Sequence, residues 1–155
     1  SEKSNLFTVD MTKLLRFSEF GKNIIDTNNI ARTKLQSENE ELEKKLLLEE
    51  KELSELRKTL SIEEFRPIAL EFDKRVTIIR AEQGNKEEFL NQKARKEEAD
   101  FFKRIYPLLY EILIERGGLI LVDQRNIILW DNSVDITDDA IRAINQALGS
   151  GNKIN

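Results

Sequence analysis

Between about Lys22 and Leu60 nothing in the sequence breaks a helix. Leu35, Leu42, Leu46, Leu53, Leu56 and Leu60 recur there at spacings of three, four and seven, with Ile25 extending the series upstream. That is the a/d stripe of a coiled coil. Asn39 and Glu49 stand at seam positions that a dedicated two-stranded coiled coil fills with apolar residues, so the seam is imperfect or partly open. Glu38, Glu40, Glu41, Lys44, Lys45, Glu50, Lys51 and Glu52 cover the rest, the pattern of a solvated helix face.

Ser61 to Glu64 reads as a capping box, in which the serine hydroxyl and the glutamate three residues on satisfy each other's orphan amides. Leu60 and Phe65 occupy the staple positions around it. One helix therefore stops near Leu60 and another begins at once, and so short a link makes the two antiparallel neighbours. Pro67 either kinks the second helix or marks a slightly later start. The return helix carries Phe65, Ile68, Phe72, Val76, Ile79, Leu90 and Ala94, interrupted by Gly84, and runs on to Arg116, where Gly117–Gly118 ends it. At ~1.5 Å per residue the outgoing helix spans roughly 58 Å and the returning one roughly 80 Å. The excess is Phe101–Ile114, apolar nearly all round, as in a helix buried on several sides. Pro107 reads as the bend at which an arm enters a body.

The body has to come from the two ends of the chain. Leu6–Val9 is a short β-type run, Asp10 caps a brief helix over Met11–Phe17, and Ser18 and Gly21 lead into the long helix. Leu119–Val122 and Ile127–Trp130 flank Asp123–Asn126 and predict a β-hairpin with two apolar faces, both of which need cover. Thr137 is expected to cap a helix over Asp138–Leu148, with Asp138 and Asp139 at its positive end, and Gly149 onward to fray. The fold class is thus α+β: a discontinuous β-body of residues 1–20 and 101–150, a helical-hairpin arm of residues 21–100, and a disordered tail of residues 151–155. A helical hairpin of this length buries little by itself, so oligomerisation is the most economical reinforcement of its base. Leu6, Val9, Leu119, Leu121, Ile127 and Leu129 are the expected body or interface positions.

Composition narrows the chemistry. With neither cysteine nor histidine, disulfides, thiolate nucleophiles, imidazole bases and the usual zinc sites are excluded. No GxxxxGK[ST] loop supports ATP-driven cycling. Asp131, Asp135, Asp138 and Asp139 lack the spacing and glycine turn of a calcium loop and are better explained by helix capping. The expectation is no enzyme, no cofactor and no metal. A formal charge of −4 argues against non-specific nucleic-acid binding, and no apolar run approaches the ~20 residues that span a bilayer. Ser1–Asn5 is polar with no apolar segment, read either as a mature start whose signal has been removed or as a trimmed one. Phe65, Phe72 and Phe89 either stand out as sticky contacts or pack against the outgoing helix, and their spacing favours packing. Trp130 reads as core or interface.

Leu6–Met11 at one end, and Leu119–Asp123 with Val134–Thr137 before the last helix at the other, resemble the opening strand and C-terminal signature of the Skp/OmpH family of periplasmic chaperones. The charged helical middle is similar in length and character. The resemblance implies a homotrimer whose strands share a small barrel and whose helical hairpins surround a cavity. Unfolded outer-membrane proteins would be held there without ATP, in the periplasm. That family is usually strongly basic, with lipopolysaccharide proposed as a second ligand; this chain departs from it with a pI near 5.1, and no lipid-binding residues carry over. Two other readings compete: a structural coiled-coil adaptor that docks folded partners, and a lipopolysaccharide- or peptidoglycan-associated binder.

Overall fold

The computed structural model describes residues 4–152. Its elements run β1 (Leu6–Val9), α1 (Met11–Phe17), α2 (Glu19–Thr59), α3 (Ile62–Glu115), β2 (Ile120–Asp123) and α4 (Thr137–Leu148). Single 3₁₀ turns at Gln124–Asn126 and Asn132–Val134 link β2 to α4. The chain divides into two compact units, one of Ser1–Asn28 with Ala94–Asn155, the other of Asn29–Lys93.

In the first unit the termini of the chain supply the sheet. β1 and β2 pair in parallel, Leu6 opposite Ile120 and Val9 opposite Asp123, with α1, α2 and α3 as the crossover that a parallel pair requires. The core packs Val9, Leu14, Phe20 and Ile24 against Phe101, Ile105, Leu109 and Leu113 of α3 and Ile136, Ala140, Ile144 and Leu148 around α4. The α3 and α4 series both recur every four residues, so each helix sinks one stripe into this core. Asp10 caps α1 by accepting the Lys13 N–H at 3.0 Å, and Ser18 Oγ accepts the Gly21 N–H at 3.0 Å at the start of α2. α3 ends in a Schellman turn: the N–H of Gly118 reaches the carbonyl of Leu113, that of Gly117 reaches Ile114, and Gly117 takes φ +72°.

Three expectations are corrected here. Ile127–Trp130 forms no strand and β2 makes no hairpin with it: the chain leaves β2 through a 3₁₀ turn at Gln124–Asn126, and β2 pairs with β1. Asp123 instead caps a 3₁₀ turn, its carboxylate accepting from the Arg125 N–H at 3.2 Å. Thr137 does not cap α4 but is its first residue; its N–H and hydroxyl both donate to Asp135, while its oxygen accepts the Asp10 N–H at 2.9 Å. α3 runs on as one helix through both prolines, with Pro107 on an exposed face. Gly149–Asn152 does not fray: Ser150 and Gly151 accept hydrogen bonds through their carbonyls from Asn23 and Arg104. Residues 153–155 of the expected tail lie outside the described residues.

In the second unit α2 and α3 face each other along a thin seam. Leu35 and Leu46 are its buried apolar residues, at 8% and 6% exposure, and Leu42, Leu53, Leu60, Phe65, Phe72, Val76, Ile79 and Leu90 are half-buried. Polar pairs cross between the helices: Glu38 with Lys86 at 2.7 Å, Asn39 with Gln83 at 2.6 Å and Glu49 with Arg75 at 2.6 Å. The first partner climbs as the second falls, which is the antiparallel order. The link at Ser61 keeps half of its capping box, with Ser61 Oγ accepting the Glu64 N–H at 3.2 Å.

Candidate functional site

Two surfaces stand out, one in each unit. In the first unit β1 and α3 leave an open cavity of 530 Å³ beside β2, lined by Val9, Met11, Phe102, Tyr106, Leu109, Tyr110, Leu113, Leu121, Asp123 and Arg125. Phe102, Tyr106 and Tyr110 reach it because a four-residue step keeps them on one side of α3 (Leu109 and Leu113 form its floor). Its polar end is an ion pair, Arg125 with Asp123 at 2.6 Å. Burial pushes the Asp123 carboxyl up, but hydrogen bonds from the Arg125 side chain and N–H, the Arg125 charge and the Met11 N–H outweigh it and hold the group below its usual range. The same pairing raises Arg125.

β2 borders this cavity. Its one named strand partner is β1, whose far edge is partly closed by a bridge from Thr8 to Asp135. Among the described residues β2 has no partner on its other edge. Next to it an apolar band lies open to solvent: Leu119 and Ile120 are exposed, and Ile128 and Leu129 are 94% and 85% exposed. Leu6 and Trp130 are exposed at about the same level, 42% and 40%. Of the six positions expected in the body, Val9 is in the core, Leu121 and Ile127 are half-buried, and Leu6, Leu119 and Leu129 are exposed. Phe101–Ile114 was expected to be buried on several sides; Phe101, Ile105, Leu109 and Leu113 are, while Tyr106, Tyr110 and Ile114 are open. The aromatic row at 102, 106 and 110 is the signal that marks this cavity, and it hid within a helix apolar nearly all round.

The second unit carries scattered apolar side chains on a charged helix pair. Ile30, Leu47, Leu48, Leu70 and Ile78 are exposed. Phe89, 65% exposed, lies over a shallow groove with Ala31, Lys34, Leu35, Asn85 and Leu90. Phe65 and Phe72 are half-buried, and Arg75 lies 5.7 Å from the Phe72 ring centre. The three phenylalanines therefore sit at separate points along α3 and form no common site. Beside the groove, Glu38 is held below its usual range first by its hydrogen bond from Lys86, and then by the charges of Lys86 and Lys34. Among the described residues there is no cluster of acids fit to hold a metal, and no helix long and apolar enough to cross a membrane.

The profile of a family described as outer membrane protein (OmpH-like) matches residues 5–144. The chain belongs to the OmpH-like family. Among solved structures, an OmpH-like protein from Caulobacter crescentus CB15, proposed to be an outer membrane chaperone, superimposes with a TM-score of 0.87. The two are 12% identical, and the alignment covers 100% of this chain and 90% of that one. No curated protein matches. At that identity the likeness concerns the fold, which this OmpH-like chain shares: long helices and a small sheet built from both ends of the chain.

Proposed function

We propose that this OmpH-like chain is an ATP-independent holdase that keeps unfolded outer-membrane proteins from aggregating in the periplasm, working as a homotrimer. The observation that carries the reading is the division of exposed apolar surface into two kinds. Around β2 it is concentrated, with an open strand edge, Ile128 and Leu129 bare, and an apolar cavity beside them. A concentrated patch with an unpaired edge needs a fixed partner. A second and third copy of the chain are that partner, and Leu6, Leu119, Leu121, Ile127 and Leu129 meet them around a core that includes Val9.

On the helix pair the apolar residues are instead dispersed among charges. Such a surface suits a flexible, unfolded client, since many weak contacts held at high effective concentration add up to firm retention. Phe65, Phe72 and Phe89 are the proposed client contacts, with Phe89 the most accessible. With a chain whose net charge is −4, capture rests on apolar contact more than on a positive charge trap.

The deciding experiment dilutes a urea-unfolded β-barrel protein into buffer with and without the purified chain and follows turbidity, with light scattering giving the chain's own mass. A trimer that suppresses aggregation without nucleotide is expected. A monomer at micromolar concentration with no suppression would sink the proposal. Stoichiometric binding of a folded protein with indifference to unfolded ones would put an adaptor in its place.

A further inference from the structure

Past the end of α4 the chain doubles back onto the first turns of α2 and the last third of α3. Gly149 closes α4 with φ +54°, and Gly151 takes φ +100°. Between these two reversals the backbone presents its carbonyls to side chains from two different helices. Asn23 Nδ2 donates to the carbonyl of Ser150 at 3.2 Å, and an Arg104 Nη1 donates to that of Gly151 at 2.8 Å. The Arg104 guanidinium also lies 4.9 Å from the centre of the Phe20 ring, which meets the Phe101 ring edge-on at 5.1 Å.

The fit is close. A Cβ on Gly151 would lie 2.5 Å from the Phe20 ring, so glycine is required there both by contact and by its positive φ. One turn earlier, Asn145 of α4 accepts the Glu19 N–H at 2.8 Å and so caps the start of α2. Phe20 of α2 and Arg104 of α3 are thus joined by a segment that belongs to neither helix.

From these contacts we infer that Gly149–Asn152 is a latch that ties the root of α2 to α3 within the first unit. Its hold is local and reversible. Ser150 and Asn152 are exposed, the Asn23 bond to Ser150 lies at the surface while the Arg104 bond to Gly151 is part-buried, and no side chain of the segment anchors it in the core. A segment of this kind opens at a lower free energy than the core beneath it. When it opens, Phe20 loses its cover and Arg104 loses a carbonyl acceptor, and the start of α2 is held less firmly against α3, though Phe20 and Ile24 still pack on Phe101 and Ile105. The core from β1, β2 and α4 stays intact. This device rests on the fold alone and does not depend on the chaperone reading.

Hydrogen–deuterium exchange on the chain of residues 1–155, compared with a chain ending at Gly149, tests it. Exchange in peptides covering Phe20–Asn28 and Ala94–Ile105 is expected to rise roughly tenfold on truncation, while β1, β2 and α4 keep their protection. Gly151→Ala should act in the same direction. Arg104→Lys keeps the charge but not the planar stack, and should give a smaller rise at the same peptides even if Gly151→Ala folds poorly. Unchanged exchange at both roots in the truncated chain would overturn the latch. So would an equal rise across β1, β2 and α4, which would make the segment an ordinary part of the common core.

Discussion

Gly21 lies in the first turn of α2 with the backbone of Leu15 against its Cα; a Cβ there would stand 1.7 Å from that carbonyl oxygen. Neither group is a flexible side chain, so Gly21→Ala forces the α1–α2 junction apart. A loss of about 3 kcal/mol is expected, at the upper end of ordinary overpacking costs, read from the urea midpoint. Gly84, inside α3, has nothing within 4 Å of its would-be Cβ. Gly84→Ala should stabilise by about 0.5–1 kcal/mol through helix propensity alone, visible as a higher melting temperature. Asp135 gives a residue-scale pH dependence. Burial pushes its carboxyl up, but the Thr137 hydroxyl and N–H, the Gln124 amide and the Lys13 charge together hold it below the ordinary 3.8. A folded-state value below the unfolded one stabilises the fold at pH above 3.8 and loses that contribution as pH falls through the lower value. Asp135→Asn should lower stability at pH 7 and flatten the fall below pH 4 in urea titrations run across that range.

At the scale of elements, the seam between α2 and α3 in the second unit mixes apolar and polar layers. Leu35 and Leu46 are buried, while Asn39 and Gln83 share a hydrogen bond of 2.6 Å between them. A polar pair in such a position fixes register and costs stability relative to an apolar layer. Replacing both, as Asn39→Leu with Gln83→Leu, should stabilise the helix pair by about 1 kcal/mol. Asn39→Leu alone should destabilise, because it strands the Gln83 amide. Thermal melts of the double variant and of Asn39→Leu and Gln83→Leu singly separate these outcomes, and single effects that sum to the double one would show that the pair is not coupled. The long helices, their antiparallel order and the turn at Ser61 were all legible from leucine spacing and one capping signal. The strand pairing was not. Ile127–Trp130 has the composition of a strand, but composition does not say whether a strand pairs with its neighbour in sequence or with one more than a hundred residues away.

For the whole molecule, the exposed residues around β2 and those on the helix pair make different predictions. Ile128 and Leu129 touch little within their own chain, so Ile128→Glu with Leu129→Glu should leave the circular dichroism spectrum unchanged. If copies of the chain meet at this band, the same double change should shift the mass in light scattering toward a monomer. Phe89→Ser should spare both the fold and that mass, while raising several-fold the chain concentration needed to suppress aggregation of an unfolded β-barrel protein. A change in mass with Phe89→Ser, or none with the paired glutamates, would reverse the roles assigned to the two surfaces.

The sequence by itself determined the concentration of charge and leucine that makes two long antiparallel helices, the caps at Asp10, Ser18 and Ser61, and the glycine stop at Gly117. These are local: each is settled by residues within a few turns of one another. Tertiary structure alone decided that β2 pairs with β1, that the Asp10 N–H donates to the Thr137 hydroxyl, and that Gly151 docks on Phe20 and Arg104. Those contacts join residues that only the helical crossover brings together, and whether such distant partners meet depends on packing that no local pattern encodes. The row of Phe102, Tyr106 and Tyr110 lies between the two cases. Its spacing could be read from the sequence, but only the packing of Phe101, Ile105, Leu109 and Leu113 into the core showed which side of the helix was left open.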